Sequence, residues 1–406
     1  MSDVSGTERR VVGAGVNPQP LIAGLLAAVV GYASTFALVL AALTAVGASA
    51  SQAGSGLLAI CVAVGILNIA VAWTTRKPVS FAWSTPGAAF LLTVGEPAGG
   101  YPAVVGAFLV AAALIVLSGL VRPLARAVAA IPAPIANAML AGMLLTLCLA
   151  PFRAIEEAPA HALPILLAWA LALRFTRRYA VPIAVLVTVI VLATTTQVPQ
   201  GGVAIVWPMP IWIMPAFTLD AILRIALPLY IVTMASQNLP GLAVMKANGF
   251  DLKAAPLFIL TGAASAATAL FGGHTVNLAA ITAAIAAGPE AHPDPGRRWA
   301  APVAAGGTYI VFAAAASFAA AFIAASPPIL IQAVAGLALL SSLGAALSGA
   351  LVNEEARLPA ILTFVATASG VTILGVGAPF WGLVGGLALM MVLRLGQRSK
   401  PELVGK

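Results

Sequence analysis

The sequence predicts an all-α polytopic membrane protein of about fourteen transmembrane segments, arranged as two inverted repeats of seven. Three observations predict it. The apolar fraction is too high for a water-facing surface, the basic residues fall on one side, and two irregular apolar segments occupy matching places in the two halves. Hydrophobic residues fill 61% of the 406 positions and charged residues only 8%, where a soluble domain carries about 25%. Mean hydropathy is +1.05. Apolar runs of this kind cross about 30 Å of hydrocarbon as helices, because a helix satisfies its own backbone groups where no water can.

The chain opens on a short polar stretch, Met1 to Pro20, with no small-residue cleavage site behind a short apolar core, so no cleaved signal peptide is expected. Ordinary spans follow near 20–46, 52–73, 101–120, 133–150, 160–175 and 180–197, and again near 217–245, 254–271, 300–324, 327–351, 359–374 and 378–395. Two odd segments, 78–95 and 272–288, are apolar but broken by Gly, Pro and small polar residues near their starts. Counting both as crossings, with the N-terminus cytoplasmic, puts 18 of the 20 Lys and Arg on the cytoplasmic side and leaves only Arg153 and Arg224 opposite. Dropping either odd segment destroys that asymmetry, so the positive-inside rule favours fourteen crossings with both termini inside. The same placement disposes of nucleic acid as a partner. The net charge of +8 sits in small groups between spans, as topology signals do.

The halves look related. Ala33-Ser34-Thr35-Phe36 lies over Ala235-Ser236-Gln237-Asn238, and Gly47 then falls on Gly249. The third span of each half is the irregular one, and inverted repeats with corresponding broken helices point to a transporter site. Gln200–Pro215, with Trp207, Pro208, Pro210, Trp212 and Pro215, reads as an interfacial connector between the repeats.

In the first broken segment, Val79–Trp83 alternates and suits an extended stretch. Ser84 or Thr85 then offers a hydroxyl N-cap and Pro86 a first helical position, opening a helix of only about ten residues. In the second, Gly272-Gly273 permits an unwound backbone, His274, Thr275 and Asn277 supply polar groups, and a helix is expected over Leu278–Ala287, ended by Gly288-Pro289-Glu290. Two half-helix N-termini facing each other across one cavity can hold an anion without a buried cation. The candidate anion contacts are Ser84, Thr85, Gly87, Thr275 and Asn277. Gln237-Asn238 interrupts another span, and two adjacent amides in hydrocarbon need partners, either another helix or a substrate. Tyr32, Phe36, Trp83 and Phe90 are candidates for an aromatic wall, although ordinary packing explains each taken singly. Close helix packing is the plainer account of the Gly and Pro residues, but it does not explain their matching places.

No Asp or Glu falls at the centre of a span, so no carboxylate relay crosses the bilayer. Cys61 and Cys148 stand apart inside apolar runs and suit neither a metal site nor a disulfide framework. No cofactor is implied. Without paired intramembrane acids, a metal cluster or a nucleophile with its base, a membrane enzyme has no support.

Ala82-Trp83-Ser84-Thr85-Pro86-Gly87-Ala88-Ala89, Ser236-Gln237-Asn238-Leu239-Pro240-Gly241 and Gly272 through Thr282, continuing to Gly288-Pro289-Glu290-Ala291-His292-Pro293-Asp294, resemble the benzoate/proton symporter (BenE) family over about Pro20 to Gly396. The resemblance implies a bacterial inner-membrane protein that imports benzoate with protons. More distantly, the layout is similar to nucleobase transporters and sulfate permeases. From that likeness come core and gate domains, the first four and last three spans of each repeat. The expected divisions are a tail 1–19, a first repeat 20–200 (core 20–120, gate 121–200), a connector 201–216, a second repeat 217–396 (core 217–325, gate 326–396) and a tail 397–406. A homodimer is compatible with such a layout. In the nucleobase transporters two glutamates on the eighth and tenth spans hold substrate, and by position Gln237 and His274 resemble their counterparts. Neutral or basic groups there suit an anion. His274 is the histidine expected near mid-membrane, since His161 and His292 fall in loops. Imidazole titrates near neutral pH, which makes His274 the candidate proton-coupling group. The competing account puts the proton on the substrate's own carboxyl. Transport of another small organic or inorganic anion, and a passive anion channel, remain the alternatives.

Overall fold

The computed structural model describes residues 18–121, 130–175, 180–195, 209–279, 281–289, 291–316, 327–371 and 378–398, with positions 123, 126, 319, 320 and 373 between them. Arg122, Arg177, Arg178, Trp207, Pro208, Ala280, Glu290 and most of both tails lie outside the described residues.

The first repeat contains α1 (Gln19–Ala45), α2 (Ala50–Thr75), strand β1 (Phe81–Trp83) running into α3 (Thr85–Val94), α4 (Gly100–Leu120), α5 (Ala133–Cys148), a short α6 (Ala150–Glu157), α7 (Pro159–Phe175) and α8 (Ala180–Thr195). The second contains α9 (Leu219–Ala247), α10 (Ala254–Ala269), strand β2 (Val276–Leu278) followed by α11 (Ile281–Ala287), α12 (Ala300–Ala313), α13 (Pro328–Leu351), α14 (Glu354–Ala368) and α15 (Ala378–Arg398). This is a 7+7 inverted repeat with two half-strand, half-helix segments. Among the described residues, five helices, α2, α4, α5 with α6, α9 and α13, are long and apolar enough to cross a membrane on those grounds alone.

The sequence places the element ends. Ser49 opens α2 with a capping box closed by Gln52. Asn353 accepts from the N–H groups of Glu355 and Ala356, so α14 begins at Glu354, several residues before the span expected from hydropathy. Gly47 and Gly249 close α1 and α9 with positive φ of 102° and 85°. The turns match in detail. Gly47 N–H donates to Thr44 and Ala48 N–H to Leu43, while Gly249 N–H donates to Lys246 and Phe250 N–H to Met245. The weak alignment of the two halves therefore corresponds to a shared helix ending.

Two packing groups emerge. In one, α12 packs on α1 and α2, and α10 on α4. In the other, α5 packs on α13 and α14, α14 on α15, and α7 on α8. Glycine permits the closest approach. A Cβ at Gly65 of α2 would stand 2.8 Å from Gly306 O of α12, and one at Gly306 2.6 Å from Gly65 O, as small residues do between membrane helices. Of the connector, residues 209–216 lie within the described residues and cross the ends of the first group. Ile211 N–H donates to Ser55 Oγ at 2.8 Å, Ile213 N–H to Leu270 O and Ala216 N–H to Pro102 O, each at 2.9 Å.

Candidate functional site

β1 and β2 pair antiparallel, with Phe81 opposite Leu278, Ala82 opposite Asn277 and Trp83 opposite Val276. Strand backbone at this depth must have every polar group satisfied, and buried side chains on four elements do this. Asn68 of α2 donates to Phe81 O at 2.9 Å and accepts from Phe81 N–H at 3.0 Å. Ser265 of α10 accepts from Val276 N–H at 2.8 Å and donates to Val276 O at 3.2 Å. Asn238 of α9 accepts from Leu278 N–H at 2.9 Å. Asn277, in the amide orientation that satisfies both its ends, accepts from Ser84 N–H at 2.9 Å and donates to Leu278 O at 2.8 Å.

The first half-helix starts as the sequence predicts. Ser84 is its N-cap and accepts from Gly87 N–H at 3.0 Å. A hydroxyl chain extends from it, Thr233 Oγ1 donating to Ser84 Oγ at 3.1 Å and lying 2.9 Å from Thr275 Oγ1. Pro86 has no N–H, and Ala88 N–H donates to Ser84 O. Thr85 N–H is thus the first-turn donor without a shown partner among the described residues. The second half-helix departs from expectation. It starts at Ile281, not Leu278, because the backbone of residues 276–278 is committed to β1, Ser265 and Asn238. The N–H groups of Val276 and Leu278 are taken, and Ala279 N–H donates to Ser80 O at 2.9 Å.

Beside the paired starts lies a cavity of about 330 Å³, lined from α1 (Ala27, Gly31, Thr35), the first broken segment (Ala82, Trp83, Thr85, Pro86), α9 (Ser236, Gln237, Pro240), the second broken segment (Ala279, Thr282, Ile285) and Tyr309 of α12. Its far wall is α5 (Asn137, Leu140, Leu144) and α13 (Ala338, Leu339, Ser342, Ala345, Ala346). It therefore lies between the two packing groups. No Asp, Glu, Lys, Arg or His is among the described residues lining it. The π-helical turn Met234–Asn238 interrupts α9 at this point. Gln237 lines the cavity, while Asn238 is buried behind it on β2. Such single π turns gather at functional sites.

Of the residues singled out in the sequence, Thr85, Gln237 and Trp83 line the cavity. Ser84, Gly87, Asn238, Thr275 and Asn277 form the buried layer that holds the two broken segments together. His274 is 0% exposed, is absent from the lining, and neither ring nitrogen has a hydrogen-bond partner among the described residues. Trp83 donates its indole N–H to Thr35 at 3.0 Å and meets Tyr309 edge-on at 5.5 Å. Tyr32 stacks on Phe36 at 5.1 Å and packs against Trp83 from outside the cavity. Phe90 lines a separate, smaller cavity. The sequence reading missed Thr35, Asn137, Thr282, Tyr309 and Ser342. A signal existed for Thr35, which aligns with Gln237 in the repeat overlay, and for Thr282, which ends one of the shared motifs.

Residues 14–392 match a family described as benzoate membrane transport protein. The chain is 40% identical over 380 residues to the inner membrane protein YdcO of Escherichia coli (strain K12), covering 94% of this chain and 97% of that protein. It is 32% identical over 374 residues to the benzoate membrane transport protein of Acinetobacter baylyi, covering 92% and 95%. Among solved structures, the transmembrane domain of a cyanobacterium bicarbonate transporter, BicA, superposes with a TM-score of 0.60 at 14% identity, covering 92% of this chain and 98% of that one. SLC26A9 superposes with 0.61 at 12%, covering 93% and 66%.

Proposed function

Because the chain belongs to the benzoate membrane transport protein family, we propose that it is a secondary active transporter that imports benzoate, or a closely related aromatic carboxylate, by proton symport. It is a multi-pass membrane transport protein and not an enzyme. The observation that carries the substrate class is the central cavity. Its volume of about 330 Å³ falls in the range of about 300–1,000 Å³ usual for small-molecule sites. Trp83 and Tyr309 offer ring faces and edges to an aromatic body. Thr35, Thr85, Gln237 and Thr282 offer neutral polar groups to a carboxylate, and the start of α3 adds its partial positive charge.

The working divisions are core 20–120 with 217–325 and gate 121–200 with 326–396, joined by the connector 201–216. The cavity between the two packing groups suits substrate exchange by movement of one group against the other. The charge distribution supports a bacterial inner-membrane orientation with both termini cytoplasmic. His274 is the proposed coupling group, with the substrate's own carboxyl as the competing proton carrier.

Proteoliposomes given radiolabelled benzoate test the reading. Uptake above equilibrium when an inward proton gradient is imposed, collapsing with the gradient, is the expected result. Equilibration without accumulation would make the protein a channel or uniporter. Accumulation of a different anion that benzoate does not compete with would remove benzoate as substrate.

A further inference from the structure

Half-helix α3 has the central cavity at its start and a second, smaller cavity at its end. The second measures about 50 Å³ and is lined by Thr93 and Val94 of α3, Met143 and Thr146 of α5, Arg224 of α9 and Thr367 of α14, among others. A water needs roughly 10–15 Å³ on this measure, so the space holds a few waters or a carboxylate group, but not an aromatic ring. Thr93 and Thr146 of its lining are exposed.

Its polar groups are only partly used. Arg224 Nη2 donates to Val94 O at 3.0 Å, and Nη1 stands 3.5 Å from Asp220 Oδ2. A guanidinium has five N–H donors, so these contacts leave donors over. Thr367 meets the cavity without its hydroxyl, whose Oγ1 is closed off and turned toward Gly382 of α15. A partly satisfied arginine lining a small cavity is the arrangement a carboxylate takes up through charge-assisted bonds.

Position adds direction. This cavity lies between α3 and α9, which pack on α1 and α4, and the second packing group, displaced from the central one along α3 by about 15 Å, the length of a ten-residue helix. Arg224 is one of the two basic residues that the charge distribution assigns to the outer side. We propose that Arg224 forms an outer carboxylate station, where the carboxylate of a small organic acid docks from outside before the molecule moves into the central cavity. The proposal rests on the transport reading and its orientation. It adds a cation to a path whose central cavity has none in its described lining.

The test uses the full-length chain in right-side-out membrane vesicles with Thr146→Cys as reporter. Cys61 and Cys148 are buried and form a quiet background. An anionic methanethiosulfonate should modify the reporter faster than a cationic one, and Arg224→Gln should abolish that preference. Benzoate and acetate should both slow modification by the cationic reagent, and Arg224→Gln should raise the half-protecting concentration about tenfold, the loss of a hydrogen bond between charged groups. Asp220→Asn, which releases Arg224 from its carboxylate, should lower that concentration. If Arg224 only ties α3 to α9, Asp220→Asn and Arg224→Gln will both impair transport while neither carboxylate protects, and the station is overturned. Protection by acetate that depends on Arg224, in a protein that does not accumulate benzoate, would remove the transport reading and keep the station. Benzoate accumulation without protection by either carboxylate would do the reverse.

Discussion

Polar residues around the central cavity divide into those that face it and those that hold its wall, and the two groups should respond differently to substitution. Gln237 faces it and has no shown hydrogen bond among the described residues, so Gln237→Leu removes a ligand contact without orphaning a protein group. Benzoate affinity should fall about tenfold, or about 1.4 kcal/mol, with an unchanged melting temperature in detergent. An equal loss of stability would move Gln237 into the wall. Gly87 belongs to the wall. A Cβ there would stand 2.7 Å from Leu229 Cδ1 and 2.8 Å from Ser84 Oγ, so Gly87→Val should break the cap of α3 and abolish binding. A well-folded Gly87→Val protein that binds benzoate normally would separate the first half-helix from the site. His274 poses a sharper question. It is fully buried away from the cavity, so a proton carried there needs another state of the cycle that opens a path to it. His274→Gln should retain benzoate exchange and lose accumulation; accumulation at the wild-type level would assign the proton to the substrate. The sequence shows that residues 84–87 and 274–277 are special, but composition cannot say which of them face a cavity and which are consumed by the opposite strand.

Elements were more legible than contacts. The serine-threonine-proline start of α3 and its ten-residue length follow from capping chemistry and glycine spacing alone. The late start of α11 does not, because it depends on groups that arrive from elsewhere in the chain: Asn68, Ser265 and Asn238, which satisfy the two strands, come from three different helices. Asn68 in particular reads as one amide in an apolar run. Its removal should be costly, since Asn68→Leu leaves both Phe81 N–H and Phe81 O without this partner. At about 1–3 kcal/mol for each unsatisfied group, the thermal midpoint in detergent should fall clearly, and benzoate binding should weaken with it as β1 loosens. An unchanged midpoint would mean that the strand pair is held by other means. The far end of α11 has an equivalent device. Arg298, 7% exposed, donates to Ala287 O and His292 O at 2.7 Å each, so a cation closes the negative end of the half-helix.

Two halves of one chain that share a helix ending at Gly47 and Gly249, and that place Thr35 and Gln237 on one cavity, make a molecule whose function depends on opposed orientation. Seven is odd, so the second half must enter the membrane from the other face. The two broken segments can then meet antiparallel, as β1 and β2 do. An even number of crossings per half would set the half-helix starts side by side, with no shared cavity between them. The repeat fixes only relative orientation, and the basic residues supply the absolute one. With 18 of the 20 on one side, inverting the chain would move nearly all of them across the bilayer, against the bias that sets membrane topology. Gln397→Cys should therefore react with an impermeant thiol reagent only from the cytoplasmic side, and Gln200→Cys only from the outside, in a background whose own cysteines are buried. Reaction of both positions from one side would require an even number of crossings between the connector and the C-terminus, and the inverted repeat would fail with it. Reaction of each from the opposite side would keep the repeat but turn the molecule over. Arg224 would then face the cytoplasm, and the carboxylate station would serve release in place of capture.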